Sequence, residues 1–165
     1  MSAAPIVPAW RIEPMTVRHV DEVAAIEASV YPFPWTRGNF IDSLAAGYFM
    51  ETVLDPAGRV IAYDVAMKGV EEMHLLNITV AAPYWGQGHA RVLLDRLVLH
   101  SRAAGAQTLW LEVRVSNEHA RRIYERYGFR AVGMRRGYYP APQQTREDAI
   151  VMSLAIAGGE PRAVD

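Results

Sequence analysis

Residues 78–91 read ITVAAPYWGQGHAR: the apolar Ile78-Thr79-Val80, then Pro83-Tyr84-Trp85, then Gly86-Gln87-Gly88-His89-Ala90-Arg91. The stretch that follows predicts a helix over about 88–104. Ala90, Leu93, Leu94, Leu97 and Val98 fall on one face of a 3.6-residue repeat, and Gly105 stops it. A strand that enters a helix through two glycines leaves free backbone N–H groups at a helix N-terminus. Those donors and the helix dipole attract phosphate, and glycine lets a phosphate approach the backbone. The alternative is a loop that takes glycine for its backbone angles alone, and the pattern leaves both open. Two phosphate-binding patterns are excluded. No G-x-x-x-x-G-K-S/T run occurs, and G-x-G-x-x-G fails because Arg91 stands at its last position.

Working outward toward the C-terminus, residues 107–115 predict a strand. Leu109, Leu111 and Val113 lie on one face, Trp110, Glu112 and Arg114 on the other. Ser116 or Asn117 caps a helix that runs to about Tyr127 and ends at Gly128. Strands are expected near 129–136 and 147–156. Toward the N-terminus, 10–15 is a short strand, and Thr16 caps a helix over 17–29 with Val20, Val23, Ile26 and Val30 along its apolar stripe. The prolines of Tyr31-Pro32-Phe33-Pro34-Trp35 interrupt helix. Thr36 caps a second short helix carrying Phe40, Ile41 and Leu44. Strands follow at 47–54, 59–68 and 72–80, with a turn at 55–58. The order β-α-α-β-β-β-α-β-α-β-β predicts an α/β fold with a mixed sheet, parallel at its centre and antiparallel toward both ends. One domain is expected over 10–156, with flexible termini at 1–9 and 157–165.

The chain has 165 residues, the length of a single domain at about 100–200 residues each. Its 17 Lys and Arg against 18 Asp and Glu leave a net charge of −1, so no global basic field draws it to nucleic acid or an anionic membrane. With no cysteine, disulfides, thiolate metal sites and a Cys nucleophile are excluded. The five histidines show no metal-ligand spacing, so no metal is expected. No apolar run reaches 18 residues, and the N-terminus lacks a basic, then apolar, leader; the cytoplasm is the expected compartment.

Gly88-His89-Ala90 also fits the last three positions of a third phosphate-binding turn, Gly-x-Gly/Ala. Together with LLNI (75–78), LWLEVR (109–114), SN (116–117), YERYGF (124–129), RGYYP (136–140) and EDAI (147–150), the chain resembles the GNAT superfamily. Within it the chain resembles the RimI-type N-terminal acetyltransferases of ribosomal protein. The resemblance implies a sheet splayed near its middle to admit acetyl-CoA. It implies that Glu112 is the general base and Tyr124 the general acid. Backbone at Ile78, Thr79 and Val80 would hold the acetyl and pantetheine part. Gly86, Gln87, Gly88, His89, Ala90 and Arg91 would hold the pyrophosphate, and Asn117 would contact CoA. The acceptor implied is the N-terminal alanine of small-subunit ribosomal protein eighteen. Trp85 departs from the Gln or Arg usual at its position, and Gly86 stands where a larger residue is common.

The chemistry suits these residue types. An α-amine titrates near ~8 and must lose a proton before it attacks. A carboxylate at Glu112 can accept that proton, a phenol at Tyr124 can protonate the leaving thiolate, and a strand N–H near Val80 can face the developing oxyanion. Without cysteine, direct transfer in a ternary complex is expected. Plainer roles stand beside these: Glu112 as a solvated strand residue, Tyr124 as core, Asn117 as a cap. Tyr138 and Tyr139 are candidates for the acceptor cleft, as are Tyr31, Phe33 and Trp35; packing is the other role open to each. Arg121-Arg122 and Arg135-Arg136 are expected on solvated faces, with a role on the CoA 3′-phosphate or toward an acidic partner left open. Competing functions are transfer to another N-terminus, a lysine or a small amine, and non-catalytic binding of acyl-CoA.

Overall fold

Seven strands in the order β1-β2-β3-β4-β5-β7-β6 form one mixed sheet, joined by four α-helices in a computed structural model that describes residues 10–156. The chain divides into two compact units. One runs up to Val65 and includes Ile78–His89; the other comprises Ala66–Asn77 and the chain from Ala90 onward. The terminal segments expected to be flexible lie outside the described residues.

In the first unit, β1 (Arg11–Pro14) pairs antiparallel with β2 (Phe49–Leu54). Between them come a 3₁₀ turn at Val17–His19, α1 (Val20–Val30) and α2 (Arg37–Ala45). The single helix expected over 17–29 is thus a 3₁₀ turn followed by an α-helix. Thr16 presents its backbone N–H to His19 Nδ1 at 2.9 Å, which tightens that first turn. Thr36 caps α2 through its hydroxyl, which accepts from Asn39 N at 3.2 Å. β3 (Val60–Lys68) is buried along most of its length. Asp64 Oδ1 on β3 accepts from Glu51 N at 3.0 Å, and Thr52 on β2 donates its hydroxyl to Glu13 O at 3.0 Å.

In the second unit, α3 (His89–Ala103) buries Leu93, Leu94 and Leu97 completely. β5 (Thr108–Arg114) alternates strictly, with Leu109, Leu111 and Val113 buried. β5 runs parallel to β4 (Glu72–Val80) and antiparallel to β7 (Arg146–Ala155). The β4–β5 register runs from Glu72↔Thr108 to Leu75↔Leu111 and ends one residue short of Glu112. α4 (Glu118–Tyr127) is capped by Asn117 Oδ1, which accepts from Ala120 N at 3.2 Å. It ends at Gly128, whose φ of 123° is open to glycine and costly for other residues. β6 (Arg130–Pro140) pairs antiparallel with β7, with register shifts, and forms the sheet edge.

Parallel pairing at the centre and antiparallel pairing at the ends follow the sequence expectation. Two features differ. β7 inserts between β5 and β6, so the last hairpin folds back into the sheet. β6 also extends to Pro140, which carries Tyr138 and Tyr139 on the strand. Among the described residues no helix is long and apolar enough to cross a membrane.

Candidate active site

Glu112 lies on the β5 face opposite the buried leucines, and its side chain is only 7% exposed. A carboxylate that far from water needs partners. His74 Nε2 lies 2.6 Å from Glu112 Oε2. Register explains the meeting: His74 on β4 is the cross-strand neighbour of Trp110, and the two rings stack at 3.6 Å and 9°. Glu112, two residues beyond Trp110, shares that face. Arg135 Nε lies 3.4 Å from Glu112 Oε1. It stands opposite Ala149 on β7. The Arg135 guanidinium also sits 5.8 Å from the Trp110 ring and 5.6 Å from that of Tyr138. Arg135 lies exposed, as expected, and is in addition a partner of Glu112.

Tyr138 and Tyr139 meet edge to face at 4.9 Å. Burial first, and then the nearby Glu112 charge, push both phenols above their ordinary range. The Arg114 guanidinium covers the Tyr139 ring at 4.4 Å, donates to Pro140 O at 2.8 Å and meets Glu147 at 3.1 Å. Glu147 also accepts from Ser116 N at 2.9 Å. Its bonding to Ser116, and then to Arg114, holds its carboxyl below the usual range. This clamp fixes the end of β6. Tyr124 is set by the close of α4. Phe129 N–H donates to Tyr124 O at 3.0 Å and Gly128 N–H to Glu125 O at 3.1 Å, the Schellman pattern. The Tyr124 and Phe129 rings meet at 5.7 Å, the apolar contact that accompanies it.

In the first unit, Tyr31 is anchored to the end of β4. Its hydroxyl lies 2.8 Å from Thr79 Oγ1 and 3.3 Å from Ile78 O. Burial, with a smaller contribution from Glu27, raises it to about 12, so it stays protonated at neutral pH. Glu27, 2% exposed, accepts from the Tyr63 hydroxyl and from Trp35 N. Trp35 packs on Phe40 at 5.2 Å and belongs to this cluster by packing, whereas Phe33 is 39% exposed.

The glycine turn is exposed at Gly86, Gln87, Gly88 and Arg91. Gly86 and Gly88 have φ of 76° and 85°, and a Cβ built on either would meet nothing within 4 Å. Glycine is required there by backbone angle, and the open space suits the approach of a phosphate. Trp85 turns back on the strand, its indole N–H donating to Val80 O at 2.7 Å. The residue that departs from the family pattern thus braces the turn. His89 is 6% exposed beneath Trp10 and Tyr84, with centroids at 4.8 and 6.3 Å, so its contribution to the turn is backbone. Burial lowers its pKa from 6.5. The unfolded chain therefore binds the proton better, and stability present above pH 6.5 is lost as pH falls below it. The His89→Phe variant, which keeps a ring against Trp10 and Tyr84, is expected to show a flatter fall of melting temperature than the parent between about pH 6.5 and 5. Identical slopes would refute this.

Sequence reasoning missed His74, Arg135, and the Glu27–Tyr63 pair. Only strand register brings the first two to Glu112, and register is not written in the local pattern. Among the described residues no group of three or more His, Asp or Glu side chains is placed to hold a metal.

The Acetyltransferase (GNAT) family matches residues 20–129, and the chain belongs to that family. It is 38% identical over 132 residues to the ribosomal protein bS18-alanine N-acetyltransferase of Escherichia coli, spanning 80% of this chain and 88% of that protein. It is 32% identical over 145 residues to the Haemophilus ducreyi protein of the same name, spanning 88% and 99%. The crystal structure of the ribosomal-protein-S18-alanine N-acetyltransferase from Escherichia coli matches with a TM-score of 0.83 at 32% identity, over 94% of this chain and 99% of that one.

Proposed function

We propose that residues 10–156 form an N-terminal acetyltransferase domain that moves the acetyl group of acetyl-CoA to the N-terminal alanine of ribosomal protein bS18. The observation that carries this is the Glu112 carboxylate, 7% exposed, fixed at both oxygens and backed by a stacked His74–Trp110 pair. The relatives of matching name and near-complete coverage support the acceptor. The site of action is the cytoplasm, where ribosomal proteins are made.

Acetyl-CoA supplies the acyl group as co-substrate. Backbone of Ile78, Thr79 and Val80 aligns the acetyl and pantetheine part. Backbone N–H groups of Gly86–Arg91 face the pyrophosphate, and Asn117 contacts CoA while capping α4. Glu112 takes a proton from the α-ammonium, and the freed amine attacks the acetyl carbonyl while N–H donors near Val80 face the developing oxyanion. The N–C bond forms, the C–S bond breaks, and Tyr124 donates a proton to the departing sulfur; the second proton that the acylated nitrogen must shed returns to the tyrosinate, and Glu112 releases the first to solvent. Tyr31, Phe33, Trp35, Tyr138 and Tyr139 shape acceptor binding. For Tyr31 and Trp35 the contribution is through the Thr79 and Glu27 contacts described above.

The test measures thiol release from acetyl-CoA, with mass spectrometry of the acceptor. One peptide begins with a free alanine; a second has a blocked N-terminus and an internal lysine. Acetylation of the free α-amine alone is expected. Acetylation of the lysine peptide alone, or of neither while acetyl-CoA still binds, would overturn the acceptor.

A further inference from the structure

The Glu112 carboxylate is held by two bases of different kinds. Arg135 stays charged at every working pH, and its side chain is 49% exposed. His74 can be neutral or charged, its side chain is 11% exposed, and it makes the shorter contact, 2.6 Å. Its ring has little freedom, because Trp110 stacks on it at 3.6 Å. A carboxylate side chain has several rotamers to lose on ordering, and a donor locked in place by its own packing selects one of them.

We propose that His74 is a positioning residue for Glu112: its imidazole, held flat on Trp110, orients the carboxylate toward the amine. This rests on Glu112 being the base. His74 Nε2–H donates to Oε2, and Arg135 lies against Oε1. The other ionisable groups of this face are Tyr138 and Tyr139 on β6, both held protonated, and Arg114 with Glu147, which pair with each other.

Two variants separate the roles. His74→Phe keeps a ring on Trp110 and removes the donor; His74→Gln removes the ring and keeps a donor. The first is expected to lower kcat by about 10- to 100-fold, the value of one hydrogen bond to a charged group, with little change in peptide KM. The second is expected to retain most of kcat. A folded His74→Phe whose kcat stays within threefold of the parent's overturns the proposal. If His74→Phe does not fold, a folded His74→Gln that loses kcat by about 10-fold or more overturns it. Glu112→Gln in the same assay tells the two failures apart. If it keeps full activity, the base assignment is wrong; if it is inactive while the His74 variants match the parent, only the role of His74 is lost.

Discussion

Glu112→Gln is expected to lower kcat by about 10²- to 10⁴-fold, the usual contribution of a positioned general base, and to leave the Kd for acetyl-CoA within a few-fold of the parent. Glutamine preserves the length and shape of the side chain, so the change is one of basicity. The local packing also survives: the amide oxygen can still accept from His74 Nε2, which lies 2.6 Å from Oε2. The amide NH₂ then faces Arg135 at the 3.4 Å now spanned to Oε1, two donors together, so a small loss of melting temperature accompanies the catalytic loss. Steady-state thiol release gives kcat and calorimetric titration gives Kd. A kcat within threefold of the parent would remove Glu112 as base and would favour an acyl-CoA-binding module, or an amine that arrives already deprotonated.

Much of this frame is legible in the local sequence because the forces that set it are local. The i, i+3, i+4, i+7 run of Ala90, Leu93, Leu94 and Leu97 buries one helix face wherever the helix docks, and all three leucines are fully buried. The alternation of Leu109, Leu111 and Val113 against Trp110, Glu112 and Arg114 fixes which side of β5 is core, whatever its neighbours are. Gly128 and Phe129 close α4 by a motif six residues long. What sequence leaves open is settled by pairing across long stretches of chain. The place of β7 between β5 and β6, and hence the approach of Arg135 to Glu112, depends on a register that no single segment encodes. The stacking of His74 on Trp110 joins residues far apart in sequence. Trp35 shows the packing role open to it beside that of an acceptor wall: its ring packs on Phe40 and its backbone N–H donates to Glu27.

That cluster carries the largest expected change in stability. Phe40 is fully buried, with Trp35 tilted against it at 5.2 Å and Tyr63 edge-on at 5.6 Å. Both neighbours donate to Glu27, itself buried. Phe40→Ala removes the ring between them and is expected to cost about 3–5 kcal/mol, the sum of lost transfer energy and a cavity that cannot collapse. Collapse is resisted here because Tyr63 is held by its hydroxyl and Trp35 by its backbone N–H. Moving either ring into the void would strain or break a hydrogen bond to a buried carboxylate, a loss of about 1.5–3 kcal/mol. Phe40→Leu fills most of the space and is expected to cost about 2 kcal/mol or less. Urea unfolding followed by Trp fluorescence measures both, and an unchanged slope with a lower midpoint identifies a native-state effect. A Phe40→Ala loss below about 1 kcal/mol would mean that the cavity closes. The Glu27 bonds would then be too soft to hold Trp35 and Tyr63 in place around the void.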